Sequence, residues 1–489
     1  METRVWRRRA RRAGLLLGAA AGLVVVAAAG WLGIGLARPL DPIPLFGAAH
    51  AVIAITDVTV VDADAGLARP GQTVLIEAGR IRAVGAATQT EVPAGAHRVD
   101  GRGRYLAPGL WDAHLHTLRH PTRVHFPLLL AHGITSVRNM GDGCSWNTDL
   151  ACMPDAREWA QQGEGAARLV PHLAASATFH VEELPPAGQA AALITALKAR
   201  GDSFLKLQLP EGTDVRQAAA LIAEAARQGL PAVGHVPAVL DLMDPAAGSC
   251  LSVEHGDQLL NQCKAQAAAR GWPAGDCSPL LQHLARQGTA FVPTFVASTG
   301  QDLTLGSSPE AEAERLAYAP GPLATVWRLY RVLHRAGMDD ESLARVRQQH
   351  AAAQQLTLAA HLAGVPVLAG TDALDPFVMH GLSLADELEQ LVAAGLSAPQ
   401  ALRAATTAPA RHSGAEDLAG RIAPGLQANL VLLSADPLRD IAAVRRIDTV
   451  FARGWVFDAA ALAELKRFAA QQARSHALAA RMWWAMLGG

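Results

Sequence analysis

YLAPGLWDAHLHT, residues 105–117, is a short apolar run that ends in two histidines, His114 and His116, one residue apart. In a β-strand, positions i and i+2 project to the same face, so both imidazoles can reach one metal ion from one side. Alone, this spacing more often marks two satisfied core histidines. Four later apolar runs end in the same manner: SFLKLQLP carries Lys206, LPAVGHVP carries His235, CLSVEHGD carries His255 and VPVLAGTDA carries Asp372. Apolar runs bounded by turn residues read as buried parallel strands, and reactive residues at their C-terminal ends are where a (β/α)8 barrel keeps its chemistry. The predicted fold class is therefore α/β, with a TIM barrel over residues 106–414. Ala, Leu and charged residues at helical spacing join the strands, as in TALKARG, DVRQAAALIAEAARQG and CSPLLQHLARQG.

Outside the barrel the pattern changes to short alternating strands. AVIAITDVTVVDADAG and GQTVLIEAGRIRAVG precede it, and NLVLLSADPL and IDTVFARGWVFD follow it. These predict a small discontinuous β-sandwich built from 51–105 and 415–458. From about 300 to 361, between strands 7 and 8, the chain is longer than a minimal barrel needs. This insertion is read either as a lid over the mouth carrying Tyr318, Trp327 and Tyr330, or as a helical pair packed on the barrel. The tail 459–489 reads as a basic amphipathic helix with Trp483 and Trp484 near its end, packed on its own barrel or touching a membrane or a second subunit.

The chain opens with six arginines, followed by an uncharged run from Ala13 to Ala37. At about 1.5 Å per residue such a run spans a hydrocarbon core of about 30 Å. Residues 1–40 are thus expected to form a membrane anchor or signal helix. Basic residues stay on the cytoplasmic side, which puts the catalytic part at the inner membrane facing the periplasm, or secreted if Gly35, Leu36 and Ala37 form a cleavage site. Five cysteines fit an oxidising compartment, with Cys144 and Cys152 in one short-range pair, Cys263 and Cys277 in another, and Cys250 free. Five inert thiols are the alternative. With 43 basic against 44 acidic residues, the chain has no electrostatic footprint for nucleic acid.

Ligand order and local wording together carry a resemblance. His114 and His116, then Lys206, His235, His255 and Asp372 follow the order of the amidohydrolase superfamily. GITSVRNMGD, HGLSLADELEQLVAAGLSAPQALRAATTAPA and GRIAPGLQANLVLLSADPL resemble its imidazolonepropionase-like and prolidase-like branch. One departure is Asn429, where that family usually has aspartate, and it is read as a local structural change.

The resemblance implies two divalent metal ions held by those six residues, with zinc best suited to mixed nitrogen and oxygen donors. An ammonium cannot bind a cation, so Lys206 must lose its proton, which burial favours. The resembled enzymes then fix carbon dioxide on it as a carbamate. A metal-bridging hydroxide would attack the carbonyl of a small-molecule amide, a dipeptide or N-acyl amino acid, while Asp372 takes the proton and passes it to the leaving amine. His180, Arg138 and His380 end or follow strands 3, 2 and 8 and are candidate substrate contacts. Rim hydrogen bonds are the plainer reading of the last two. His120, His125, His132 and His172 are read as structural. A lactone or phosphotriester hydrolase would use the same ions, and a non-catalytic binding or assembly member is the reading from another class. A homo-oligomer is compatible with the chain.

Overall fold

The computed structural model describes residues 23, 25–118, 120–141, 159, 161–175, 178–180, 184–209, 212–238, 240–244, 250–301 and 309–487. Strands β1 (Ala48–Ala49), β2 (Val52–Asp62), β3 (Leu67–Glu77), β4 (Arg80–Ala86), β5 (His97–Asp100) and β6 (Tyr105–Pro108) precede the barrel. They join β15 (Leu430–Leu433), β16 (Ile447–Ala452) and β17 (Trp455–Asp458) from the far end of the chain. Strands from the two ends of the chain therefore meet in one sheet. The hydrogen bonding differs from a two-sheet sandwich, since the strands form one sheet in the order β1-β17-β16-β15-β6-β2-β3-β4, with β5 added on β2. The cause lies in β2, whose pairing with β3 breaks register around Asp57, a residue in the left-handed region at φ 55°. Before the break β2 pairs in parallel with β5, and after it with β6. Alternation reports which face is buried, here by Ile53, Ile55, Val74, Ile76, Leu430 and Phe451, but not which strands pair.

The barrel runs through β7 (Leu110–Leu115), β8 (Ile134–Asn139), β9 (His172–Ala175), β10 (Thr178–His180), β11 (Leu205–Gln208), β12 (Ala232–His235), β13 (Cys250–Glu254) and β14 (Ala290–Val292). Adjacent strands are parallel, and β9 and β10 serve in turn as the third position, one pairing back to β8 and the other forward to β11. The eighth strand, residues 365–372, is irregular yet closes the ring. Leu368 N donates to Phe291 O at 2.9 Å on one side, and Ala113 N donates to Ala369 O at 2.8 Å on the other.

The helices follow from apolar spacing and caps. Val215–Arg227 starts where the Asp214 side chain accepts from Arg216 N and Gln217 N, and it buries Ala218, Leu221, Ile222 and Ala225, one stripe at i, i+3, i+4 and i+7. Truncating Leu221 to Ala would cost about 2–5 kcal/mol.

The segment after β14 forms helices Pro309–Tyr318, Gly321–Gly337 and Asp340–Leu362. Trp327 is core, packed on Phe377 with ring centroids 5.6 Å apart, and Tyr330 stacks on His334. The tail forms helices Ala459–Ala473 and His476–Met486, the first of which packs on Thr122–Ala131. A further helix over 25–37 docks on His476–Met486, with His476 Nε2 2.8 Å from Trp31 O. Among the described residues no helix is long and apolar enough to cross a membrane. Most of the first half of the expected span, from Ala13, lies outside them. Cys263 and Cys277 form a disulfide and Cys250 is buried and free, while Cys144 and Cys152 lie outside the described residues. Asn429 does local work, its Oδ1 accepting from Arg453 N at 3.1 Å where the chain turns through φ 51°.

Candidate metal centre

Five of the six candidate ligands, His116, Lys206, His235, His255 and Asp372, line one cavity of about 460 Å³ at the C-terminal ends of the barrel strands. The sixth, His114, lies fully buried behind it. Strand alternation aims Asp112, His114 and His116 the same way. Asp112 clamps strands one and eight together: its carboxylate accepts from Thr371 N at 3.0 Å and from Thr371 Oγ1 at 2.7 Å. Burial raises its pKa to about 7, against these hydrogen bonds.

Consecutive strand residues normally face opposite sides, yet Glu254 and His255 both reach the centre. His255 makes this possible by leaving β13 in the left-handed region at φ 69°, and Asp372 at φ 59° does the same after Thr371. Such conformations cost of order 1–3 kcal/mol each and persist where the surroundings enforce them. Two glycines relieve crowding nearby. A Cβ on Gly370 would meet His114 Cβ at 2.6 Å, and one on Gly234 would strike Leu207 O at 2.0 Å.

The donor atoms converge. Asp372 Oδ1 lies 3.2 Å from both His114 Nε2 and His116 Nε2, and His255 Nδ1 is 3.6 Å from Asp372 Oδ2. The Nε2 atoms of His235 and His255 face each other in contact, and Thr294 Oγ1 sits 2.8 Å from His255 Nδ1. Burial pushes the His255 pKa down to about 3 and that of His235 well below its ordinary value, so both are neutral donors.

His114 Nδ1 lies 2.7 Å from Glu254 Oε2, which keeps a proton on Nδ1 and directs Nε2 at Asp372. A second proton or a cation must then sit between Nε2 and Oδ1. His114, His116 and Asp372 place their ligand atoms within 4.8 Å of one another, a cluster able to hold one ion. Glu254 is itself held by Arg138 Nη2 at 2.6 Å. Burial alone would raise its pKa, but Arg138, the His114 hydrogen bond and Lys206 outweigh it and keep Glu254 ionised. Lys206, 1% exposed between buried Leu205 and Leu207, has its pKa lowered to about 8. Burial is the main cause, with Arg138 adding to it and Glu254 and Asp372 opposing.

The other candidates fall elsewhere. Arg138 is buried behind the ligands rather than on the cavity wall, bonded to Glu254 and to Ser252 Oγ at 2.9 Å. His380 is also buried, its Nε2 2.8 Å from His116 O and its ring stacked on His125 at 3.7 Å, so it holds the backbone of a ligand. His180 ends β10 with its backbone beside Gln208; its side chain lies outside what the structure describes. The outer wall of the cavity comes from the insertion, through His334, Val346, Gln349 and His350. Sequence reasoning missed Asp112, Glu254 and Thr294. Asp112 shares the parity of His114 and His116, and Glu254 is a carboxylate in an otherwise apolar strand, so both carried a signal. Thr294 carried none.

Comparison with known proteins agrees with this architecture. Residues 339–456 match the amidohydrolase family. An uncharacterised protein of Mycobacterium tuberculosis is 28% identical over 415 residues, covering 80% of this chain and 94% of that one. Among solved structures, bottromycin amidohydrolase superposes with a TM-score of 0.66 at 21% identity, covering 92% of this chain and 96% of its own. A Xaa-Pro dipeptidase with bound methionine in its active site gives 0.60 at 17% identity, covering 83% and 100%. Molinate hydrolase gives 0.60 at 19%, covering 84% and 95%.

Proposed function

We propose that this chain, which belongs to the amidohydrolase superfamily, hydrolyses a carbon–nitrogen amide bond in a small molecule, a dipeptide or N-acyl amino acid, with two divalent metal ions. The observation that carries the reading is the gathering of His114, His116, Lys206, His235, His255 and Asp372 from five strand positions at one end of the barrel. The amidohydrolase and dipeptidase among the similar folds support the amide class.

The donor set fits metal. His114, His116 and Asp372 would hold one ion, and His235 and His255 the other, with zinc suited to both. Lys206, buried and lowered to about 8, would help to hold them as its carbamate, formed from the neutral amine and carbon dioxide with release of one proton. When bound, the ions would polarise the substrate carbonyl and bring water's pKa from about 15.7 toward 7. Asp372, a buried carboxylate facing the cavity, is the group of this chain placed to take a proton from water and pass it to the leaving amine. Glu254 and Arg138 keep His114 in one tautomer, and His380 fixes His116 through its carbonyl. The cavity wall formed by His334, Gln349 and His350 would hold the rest of the substrate.

The same reading places the catalytic body outside the cytoplasm, held at the inner membrane by the segment from Ala13 to Ala37. The six preceding arginines and the Cys263–Cys277 disulfide support it.

The deciding experiment is metal analysis of the purified full chain, followed by assay against dipeptides and N-acyl amino acids. About two ions per chain with turnover of one class supports the assignment. Stoichiometric metal with hydrolysis of lactones or phosphotriesters alone would replace the amide reading. A chain with less than about one ion and no turnover would be a binding module.

A further inference from the structure

The helix Gly321–Gly337 is apolar on two opposite sides. Ala324 and Trp327 face the barrel, whereas Val326, Leu329, Val332 and Leu333 are 41%, 57%, 64% and 64% exposed. At about 100° per residue these four fall within an arc of about 120°, a single stripe facing away from the molecule. The helix contains no acidic residue, and Arg328 and Arg335 lie in solvent along one edge of the stripe. It also forms part of the site, because His334, next to Leu333, lines the cavity.

This helix packs against His476–Met486, which in turn packs against the helix over 25–37. His476 Nε2 meets Trp31 O at 2.8 Å, and Arg481 Nη2 meets Arg38 O at 2.9 Å. Neither of these two helices contains an acidic residue, and both show apolar surface: Trp31 is 43%, Ile34 55%, Trp484 47% and Leu487 73% exposed.

We propose that the outer stripe of Gly321–Gly337 lies on an anionic lipid bilayer, so that the catalytic mouth opens at the headgroup layer. This rests on the reading of the first segment as held in that bilayer. The helix over 25–37 continues the uncharged run that begins at Ala13, and it joins the catalytic body through direct contacts rather than a linker. Any surface that holds the run therefore lies within reach of the adjoining helices. Apolar stripes edged by arginine, with tryptophans at the boundary, match the headgroup layer in chemistry. A second copy of the chain is the competing occupant.

The test uses the full chain in lipid nanodiscs containing phosphatidylglycerol, with the photocrosslinking residue p-benzoylphenylalanine at position 329. A matched control carries it at 362, where exposed Leu362 ends helix Asp340–Leu362. Light-dependent lipid adducts at 329, several-fold above those at 362, are expected. Equal yields at the two positions, or chain-to-chain adducts at 329 in place of lipid, would overturn the docking. Alkaline washing of membranes reports the anchor separately. A chain retained after washing but free of lipid adducts at 329 keeps its anchor and loses this surface. A chain washed out overturns the anchor reading and the docking that rests on it.

Discussion

His114 Nδ1 sits 2.7 Å from Glu254 Oε2, and neither side chain reaches solvent. The carboxylate therefore decides which imidazole nitrogen is left for the cavity, and Arg138 at 2.6 Å decides where the carboxylate stands. Replacing Glu254→Gln removes the charge that fixes this arrangement. Metal affinity, measured by competition with a chromophoric chelator, is expected to fall by about 10–100-fold. Unchanged affinity in a folded variant would remove Glu254 from the metal centre. Arg138→Met removes the main countercharge of buried Glu254 and is expected to cost about 3–5 kcal/mol in a denaturant titration.

Lys206→Ala is expected to leave the His114, His116 and Asp372 cluster in place and to lower metal content from about two ions per chain to about one. Elemental analysis checks this. Full loading of the variant would sink the carbamate assignment.

Glu387 is buried in helix Leu382–Ala393, with Oε2 accepting from Val296 N at 2.9 Å. Burial first, and then the charges of Asp112 and Asp386, push its pKa from 4.5 to about 8. Between those values the unfolded chain gives up the proton and the folded chain keeps it, so this group lowers stability as pH rises. Glu387→Gln keeps an acceptor for Val296 and removes the proton linkage. Its melting temperature is expected to match the parent near pH 4.5 and to exceed it by a few degrees at pH 8. A constant difference across that range would refute the assignment.

Gln349 and His350 line the cavity from helix Asp340–Leu362, on the wall formed by the insertion. Their replacement by Ala should raise KM for the preferred amide about tenfold with kcat nearly unchanged, the pattern of lost uniform binding. A fall in kcat with constant KM would place them in the chemistry instead.

The Cys263–Cys277 bridge closes a loop with a sequence separation of 14. On loop length alone it is worth about 3 kcal/mol. The double variant Cys263→Ser, Cys277→Ser should unfold at lower denaturant concentration, and dithiothreitol should bring the parent down to the same midpoint. A parent insensitive to reductant would show that the bridge does not form.

The residues YLAPGLWDAHLHT and the four runs ending at Lys206, His235, His255 and Asp372 were sufficient to indicate a barrel with these side chains gathered at one end. Strand parity and apolar run length are local properties that a sequence displays directly. The departure from the resembled family at Asn429 read as structural, and short spacing paired Cys263 with Cys277.

What escaped the sequence is non-local. Arg138 and His380 both follow barrel strands and so resemble rim residues, but only closure of the ring puts Glu254 against Arg138 across 116 positions and His116 O against His380. A buried charge is tolerated where a partner meets it, and partners so far apart in sequence are found only by the fold. The positive φ at His255 and Asp372 is likewise set by tertiary contacts: both residue types tolerate it better than most, but nothing in the local sequence requires it. Sequence periodicity thus determined which side chains face inward, while the closing of the barrel determined which of those touch each other and which face the cavity.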